Sequence, residues 1–220
     1  MCILPGGWRN ISVIFDERTH LVSFLDAAAA RQPTPGGGSI SALTGALSAA
    51  MGEMVINYSL GKKGLEAFAG ELRPVLTEMH RARQVLLTLM VEDQAAYEAL
   101  SQAQKLPAGS PERAAAYPPA LLAAIRVPQA IAATSLAVLE LSDRIINFVN
   151  YQLLSDLAVC SDLAMATVRC AVYSVRVNLN ELAGPDRQHI ESNTMQLLSR
   201  AASIIQRVSP RIWQRHDLGV

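Results

Sequence analysis

The run SISALTGALSAAMGEMVINYSL, residues 39–60, leaves this chain few ways to fold. Its serines, alanines and glycines spread over more than one helical face, so a helix here is apolar nearly all round. Such a helix has to be buried. Small residues also let neighbouring helices approach closely. Together these features predict a central helix at or near an interface between two copies of the chain. Ser39 is placed as its N-cap and Gly61 as its stop. Glu53 and Asn57 interrupt the apolar run, and Glu140 and Asp143 interrupt another further on, so no membrane span is assigned.

The remaining chain supplies helices to surround it. Residues 18–31 have apolar spacing at Leu21, Phe24 and Leu25, and Pro33 and Pro35 end that segment. A third helix covers residues 65–105, with Pro74 delaying its start or kinking it. KLPAGSPER is a turn in which Ser110 caps a short helix opening at Pro111, and Pro118 and Pro119 break it. A fourth long helix covers residues 120–149, kinked at Pro128. NYQLLSD is a loop, and Ser155 or Asp156 caps a fifth helix that ends near residue 182. A sixth spans residues 185–208 and ends before Pro210. Only ISVIF, residues 11–15, alternates like a strand. The fold class is all-α: an up-and-down bundle of about six helices, several long, assembled as a homodimer. Residues 1–17 are an N-terminal extension and residues 18–220 a single helical domain.

Overall charge speaks against one class of partner, though it leaves room for a locally basic patch. Lys and Arg number 19 and Asp and Glu 19, so no global basic field invites nucleic acid. Cys2, Cys160 and Cys170 are too sparse for a disulfide scaffold and fit a reducing, cytoplasmic setting, with Cys160 and Cys170 read as small packing residues. Four histidines share no metal-ligand spacing, so no metal is expected. Asn10-Ile-Ser12 and Asn57-Tyr-Ser59 match the glycosylation sequon by chance, and the N-terminus does not read as a signal peptide.

The glycines before the central helix, PTPGGGS, raise the question of a phosphate loop. That loop needs a strand before it and a lysine at the helix start, and neither is present. The helix N-terminus still offers N–H groups to an anion or a polar ligand edge; the plainer alternative is a tight corner between two helices. Helical rise puts Ser39 and Lys62 roughly 30 Å apart, and Asp156 and Asn178 by a similar distance. An up-and-down bundle then groups Lys62 and Lys63 with Asn150, Ser155 and Asp156 at one end. Gly36, Gly37, Gly38 and Ser39 group with Asn178 at the other. An antiparallel two-fold dimer brings opposite ends together.

PTPGGGSISALTGALSAAMGEMVINYSLGKK closely resembles the start of the cyclodeaminase/cyclohydrolase family. That family includes the cyclodeaminase half of formiminotransferase-cyclodeaminase and stand-alone methenyltetrahydrofolate cyclohydrolases. The resemblance continues in VEDQAAYEAL around Asp93. It returns in LLSDLAVCSDLAMATVRCAVYSVRVNLNEL, which looks like the family's S-D-x-x-V block and N-V-x-x-N-L. Three positions depart from the pattern: Val149 stands where glycine usually precedes Asn150, Ser174 replaces the first Asn of N-V-x-x-N-L, and Gly64 replaces a frequent third lysine.

The resemblance implies a reduced folate substrate, free or polyglutamylated, with no cofactor beyond tetrahydrofolate itself. Asp156 is the first choice for a carboxylate that steers water or stabilises a cationic centre; the alternative is a helix cap. Asp93 is a second catalytic candidate, or a solvated residue beside Glu92. Lys62 stabilises an oxyanion or, with Lys63, anchors the glutamate tail; the alternative is placement at a helix C-terminus. Gly36, Gly37, Gly38, Ser39, Asn150, Ser155 and Asn178 are placed at the substrate. Asp162 reads as ordinary surface. The rival function is a non-catalytic helical dimer that keeps the scaffold for folate binding or assembly, favoured by Val149 and Ser174.

Overall fold

The computed structural model describes residues 14–182 and 184–218. Helix is the regular structure they form, with no strand among the described residues. The order is α1 (Leu21–Ala29), α2 (Gly37–Ser59), α3 (Ala69–Lys105), α4 (Pro111–Ile145), α5 (Leu154–Leu179) and α6 (Pro185–Leu218). Short 3-10 turns, Glu66–Phe68 and Tyr151–Leu153, lead into α3 and α5. Helices α2 to α5 form a closed ring, each packed on the next and α5 on α2, while α6 lies along α5 and α4.

The small residues of α2 allow close helix approach as expected, and the helices that approach belong to the same chain. Ser41, Ala42, Gly45, Ala46, Ser48, Ala49 and Gly52 are buried inside the bundle of one chain. A Cβ on Gly45 would press on Leu86 and Ser135, and one on Gly52 on Met79 and Cys160. The small side chains therefore let α3, α4 and α5 close around α2. Larger side chains point outward: Ile40, Leu47 and Tyr58 are exposed, with Met51 and Met54 partly so.

Proline misleads in this sequence. The expected break at Pro118 and Pro119 is absent, because α4 runs unbroken from Pro111 to Ile145, and α6 passes through Pro210. Each helical proline removes one N–H and leaves the carbonyl four residues earlier unpaired. For Pro74, Pro118, Pro119 and Pro210 those carbonyls belong to Gly70, Ala114, Ala115 and Gln206, all exposed residues. On the opposite side of α4, Ala120, Leu121, Ala124 and Ile125 are buried, so tertiary packing holds the helix through the prolines.

Several boundaries shift. Gly36, not Ser39, is the N-cap residue of α2, and Leu153, not Ser155 or Asp156, precedes α5. Ser110 does cap α4, accepting from the Arg113 N–H at 3.1 Å. In α1 only Phe24 is buried, while Leu21 and Leu25 stay exposed. Phe24 meets the Phe15 ring edge-on, and the Gln94 side chain pairs with both backbone groups of Phe15. Ile14 and Phe15 are not in a strand; residues 11–13, Cys2 and Asn10 lie outside the described residues. Cys160 packs in the core as expected, whereas Cys170 is exposed.

By length and composition alone, three segments could cross a membrane: Gly37–Ser59, Pro111–Ile145 and Tyr151–Leu179. In this fold each buries about half of its most apolar window against its neighbours.

Candidate active site

Glycine brings the start of α2 against α3. A Cβ on Gly38 would overlap the Asp93 carboxylate, so any other residue would push that group aside. The next residue, Ser39, is fully buried and donates its hydroxyl to Asp93 Oδ2 at 2.9 Å. Burial lifts the Asp93 carboxyl above the usual aspartate range, with the Ser39 hydroxyl opposing the shift. Asp93 is half-buried and borders a cleft of about 350 Å³. Gly36, Gly37 and Gly38 line it at the start of α2, and Tyr97, Ser101 and Gln104 continue the α3 wall.

The α5 wall carries Ser174 and Asn178. Asn178 Nδ2 donates to the Ala124 carbonyl at 2.9 Å. That carbonyl would ordinarily take the N–H of residue 128, which is proline. Ala124 and Pro128 are both buried, so water does not replace the missing donor. Asn178 thus completes the backbone of α4 with its amide nitrogen and brings its side chain to the cleft wall.

The second group lies at the other end of α2, whose 23 residues span about 34 Å. Lys62, in the turn after the helix, donates to Asn150 Oδ1 at 2.6 Å and to Gln152 Oε1 at 3.0 Å. Its Nζ also sits 5.7 Å from the centre of the Tyr151 ring. Asn150 is buried and held in turn: its N–H donates to Ser59 Oγ at 2.9 Å, and its Oδ1 accepts from the Gln152 N–H. Lys63 and Ser155 are exposed. Asp156 is half-buried in the first turn of α5, where a negative charge is favoured by the helix dipole. Asp162 is exposed.

The sequence-derived candidates therefore fall into two groups. Gly36, Gly37, Gly38, Ser39, Asp93 and Asn178 gather at one end, and Lys62, Lys63, Asn150, Ser155 and Asp156 at the other. Within one chain the groups do not meet. Sequence reasoning missed Tyr97, Ser101 and Gln104, although with Asp93 they recur at helical spacing along one face. It also missed Ser59 and Gln152, which carried no signal before the turns were known. Among the described residues, no group of three or more His, Cys, Asp and Glu side chains comes together.

Residues 20–197 match the family model described as Formiminotransferase-cyclodeaminase. The chain belongs to the formiminotransferase-cyclodeaminase family. A methenyltetrahydrofolate cyclohydrolase of Methylorubrum extorquens is 33% identical over 193 residues, which cover 84% of this chain and 92% of the relative. A formimidoyltransferase-cyclodeaminase of Sus scrofa is 30% identical over 200 residues, covering 87% of this chain but 37% of that longer protein. The crystal structure of a formiminotetrahydrofolate cyclodeaminase from Thermotoga maritima superposes with a TM-score of 0.78 at 29% identity, covering 91% of this chain and 97% of that one.

The three departures from the family pattern have separate physical settings. Val149 is fully buried, and its side chain packs in the main core. Gly64 has a φ of +89°, in the left-handed region where lysine would be strained. Ser174 borders the cleft, where its shorter side chain changes the wall.

Proposed function

We propose that this family member acts on a reduced folate carrying a one-carbon unit, as a methenyltetrahydrofolate cyclohydrolase or a formiminotetrahydrofolate cyclodeaminase. Asp93 is the observation that carries the reading. It is a carboxyl fixed by Ser39 at a cleft, and burial raises its pKa above the usual aspartate range. In cyclohydrolysis, water adds to the methenyl carbon and gives up a proton to the base. The carbon–nitrogen bond then opens as a proton reaches nitrogen, leaving a formyl group and one proton released overall. In cyclodeamination the folate nitrogen attacks the formimino carbon, and the departing nitrogen leaves as ammonia after protonation. Both sequences need proton transfers alone, so no cofactor is invoked beyond the folate. Asp156, with its charge at the start of α5, is the second carboxylate assigned to the cationic centre. Lys62 and Lys63 bind the anionic glutamate tail or a developing oxyanion.

On this reading the working unit is a homodimer. Ile40, Thr44, Leu47, Met51, Met54 and Tyr58 recur along α2 at alternating steps of four and three. Val159, Leu163, Ala166, Cys170, Tyr173 and Val177 do the same along the neighbouring α5. Such stripes suit a helical partner. Leu47, Tyr58, Tyr173 and Val177 are more than half exposed in one chain. Val177 also lines the cleft, so the apolar face and the cleft adjoin. An antiparallel two-fold pairing on this face carries the Lys62 end of one copy towards the Asp93 end of the other. Balanced charge and free cysteines fit a cytoplasmic protein that binds neither nucleic acid nor membrane.

Absorbance of methenyltetrahydrofolate mixed with purified protein tests the proposal. Accelerated decay supports the cyclohydrolase, while ammonia release from formiminotetrahydrofolate supports the cyclodeaminase. Ser174 at the cleft favours the rival reading, a folate-binding module without turnover. Binding with neither decay nor ammonia would establish that rival.

A further inference from the structure

Arg215 lies on α6 beyond the residues matched by the family model, yet it reaches the loop that presents Asn150. Its guanidinium donates to the carbonyl of Ile146 and, at 2.7 Å, to that of Val149. Helix α4 ends at Ile145, so carbonyls here lack the donors that a continuing helix would supply. A guanidinium fork serves two such acceptors at once. Arg207, Arg211 and Arg215 recur at four-residue spacing along one face of α6. Arg207 and Arg211 both bind the Asp143 carboxylate in the last turn of α4. Three arginines thus fasten the second half of α6 onto the end of α4.

What they fasten leads directly to Lys62. Asn150 follows Val149, its N–H bonds Ser59, and its Oδ1 accepts from Lys62 Nζ at 2.6 Å. The Val149 carbonyl and the Asn150 N–H belong to one planar peptide, so displacing that carbonyl turns the Asn150 backbone and moves Oδ1 away from the ammonium. We propose that Arg215 is a positioning residue for Lys62, acting through the Val149 carbonyl and Asn150. Its importance for turnover rests on the folate reading, but the placement of Lys62 can be measured without turnover.

The test is pulse acylation of the full chain with acetic anhydride, read by mass spectrometry as the ratio of Lys62 to Lys63 labelling. Lys63 is exposed and serves as internal reference. In the parent, Lys62 should label more slowly than Lys63. Arg215→Met should raise the ratio by roughly fivefold, the scale of one weakened charge-assisted hydrogen bond. Arg215→Lys, which keeps the charge but loses the fork, should give a smaller rise, and it decides the matter if circular dichroism shows the Met variant unfolded. An unchanged ratio would overturn the proposal. So would a common rise at Lys62, Lys63 and Lys105, which marks general loosening. If the parent is active, Arg215→Met should lower kcat/KM in the parent background and cause no further loss in Lys62→Met. If the labelling ratio responds but the parent turns over no folate, Arg215 still positions Lys62 and the folate reading is the one that fails.

Discussion

Asp93 shows how a single side chain trades stability for chemistry. Its carboxyl is pressed against Gly38 and bonded to Ser39, and burial raises its folded-state pKa above the unfolded value of about 3.9. The folded state therefore holds this proton more tightly. The associated stability is complete below the unfolded pKa and is lost as pH rises through the folded one. Asn keeps an acceptor for Ser39 and cannot ionise. Asp93→Asn should therefore melt higher than the parent at neutral pH, with the gap closing as the pH falls below about 4. Turnover should drop by a factor on the order of a hundred. Melting curves across pH check the first statement, and a parent that melts higher at neutral pH would refute it. Asp93 was legible as a candidate through the family-like stretch VEDQAAYEAL. Its contact with Gly38 was not, because that closeness depends on how α2 and α3 pack.

At the scale of an element, the helices were legible from apolar spacing, but their interruptions were not. A proline reads as a break when its neighbours are unknown. Here four of the five interior prolines in α3, α4 and α6 free carbonyls of exposed residues, and the fifth frees one that Asn178 takes. This last pair is testable by a double-mutant cycle. Asn178→Ala strands the buried Ala124 carbonyl and should destabilise the protein by about 1–3 kcal/mol. In a Pro128→Ala background residue 128 supplies its own N–H, so the same substitution should cost much less. Chemical denaturation of the four proteins measures the coupling. Equal losses in both backgrounds would mean that Asn178 matters for some reason other than the missing proline donor.

At the scale of the whole molecule, the order of helices was enough to sort the polar residues into two ends, because an up-and-down chain leaves little freedom in which turns coincide. The tie from α6 to the Asn150 loop was not legible, since the sixth helix was expected to end before Pro210, short of Arg211 and Arg215. The outward stripes of α2 and α5 lead to the assembly expectation: the parent should sediment as a dimer at micromolar concentration. Leu47→Glu combined with Tyr173→Glu should give a folded monomer with turnover at background, because both side chains are exposed in one chain and unneeded by its core. A double variant that stays dimeric would place the interface elsewhere.

The central claim is one site built from Asp93 of one copy and Lys62 of another, and subunit mixing tests it most directly. Asp93→Asn and Lys62→Met are purified separately, co-unfolded, refolded together and assayed on the folate. Each variant alone should be close to inactive. If the site is shared across a two-fold axis, a mixed dimer contains one intact and one doubly altered site, so random pairing should restore about a quarter of the parent's activity. A mixture no more active than the separate variants, while the parent turns over normally, would contradict a site shared in this way.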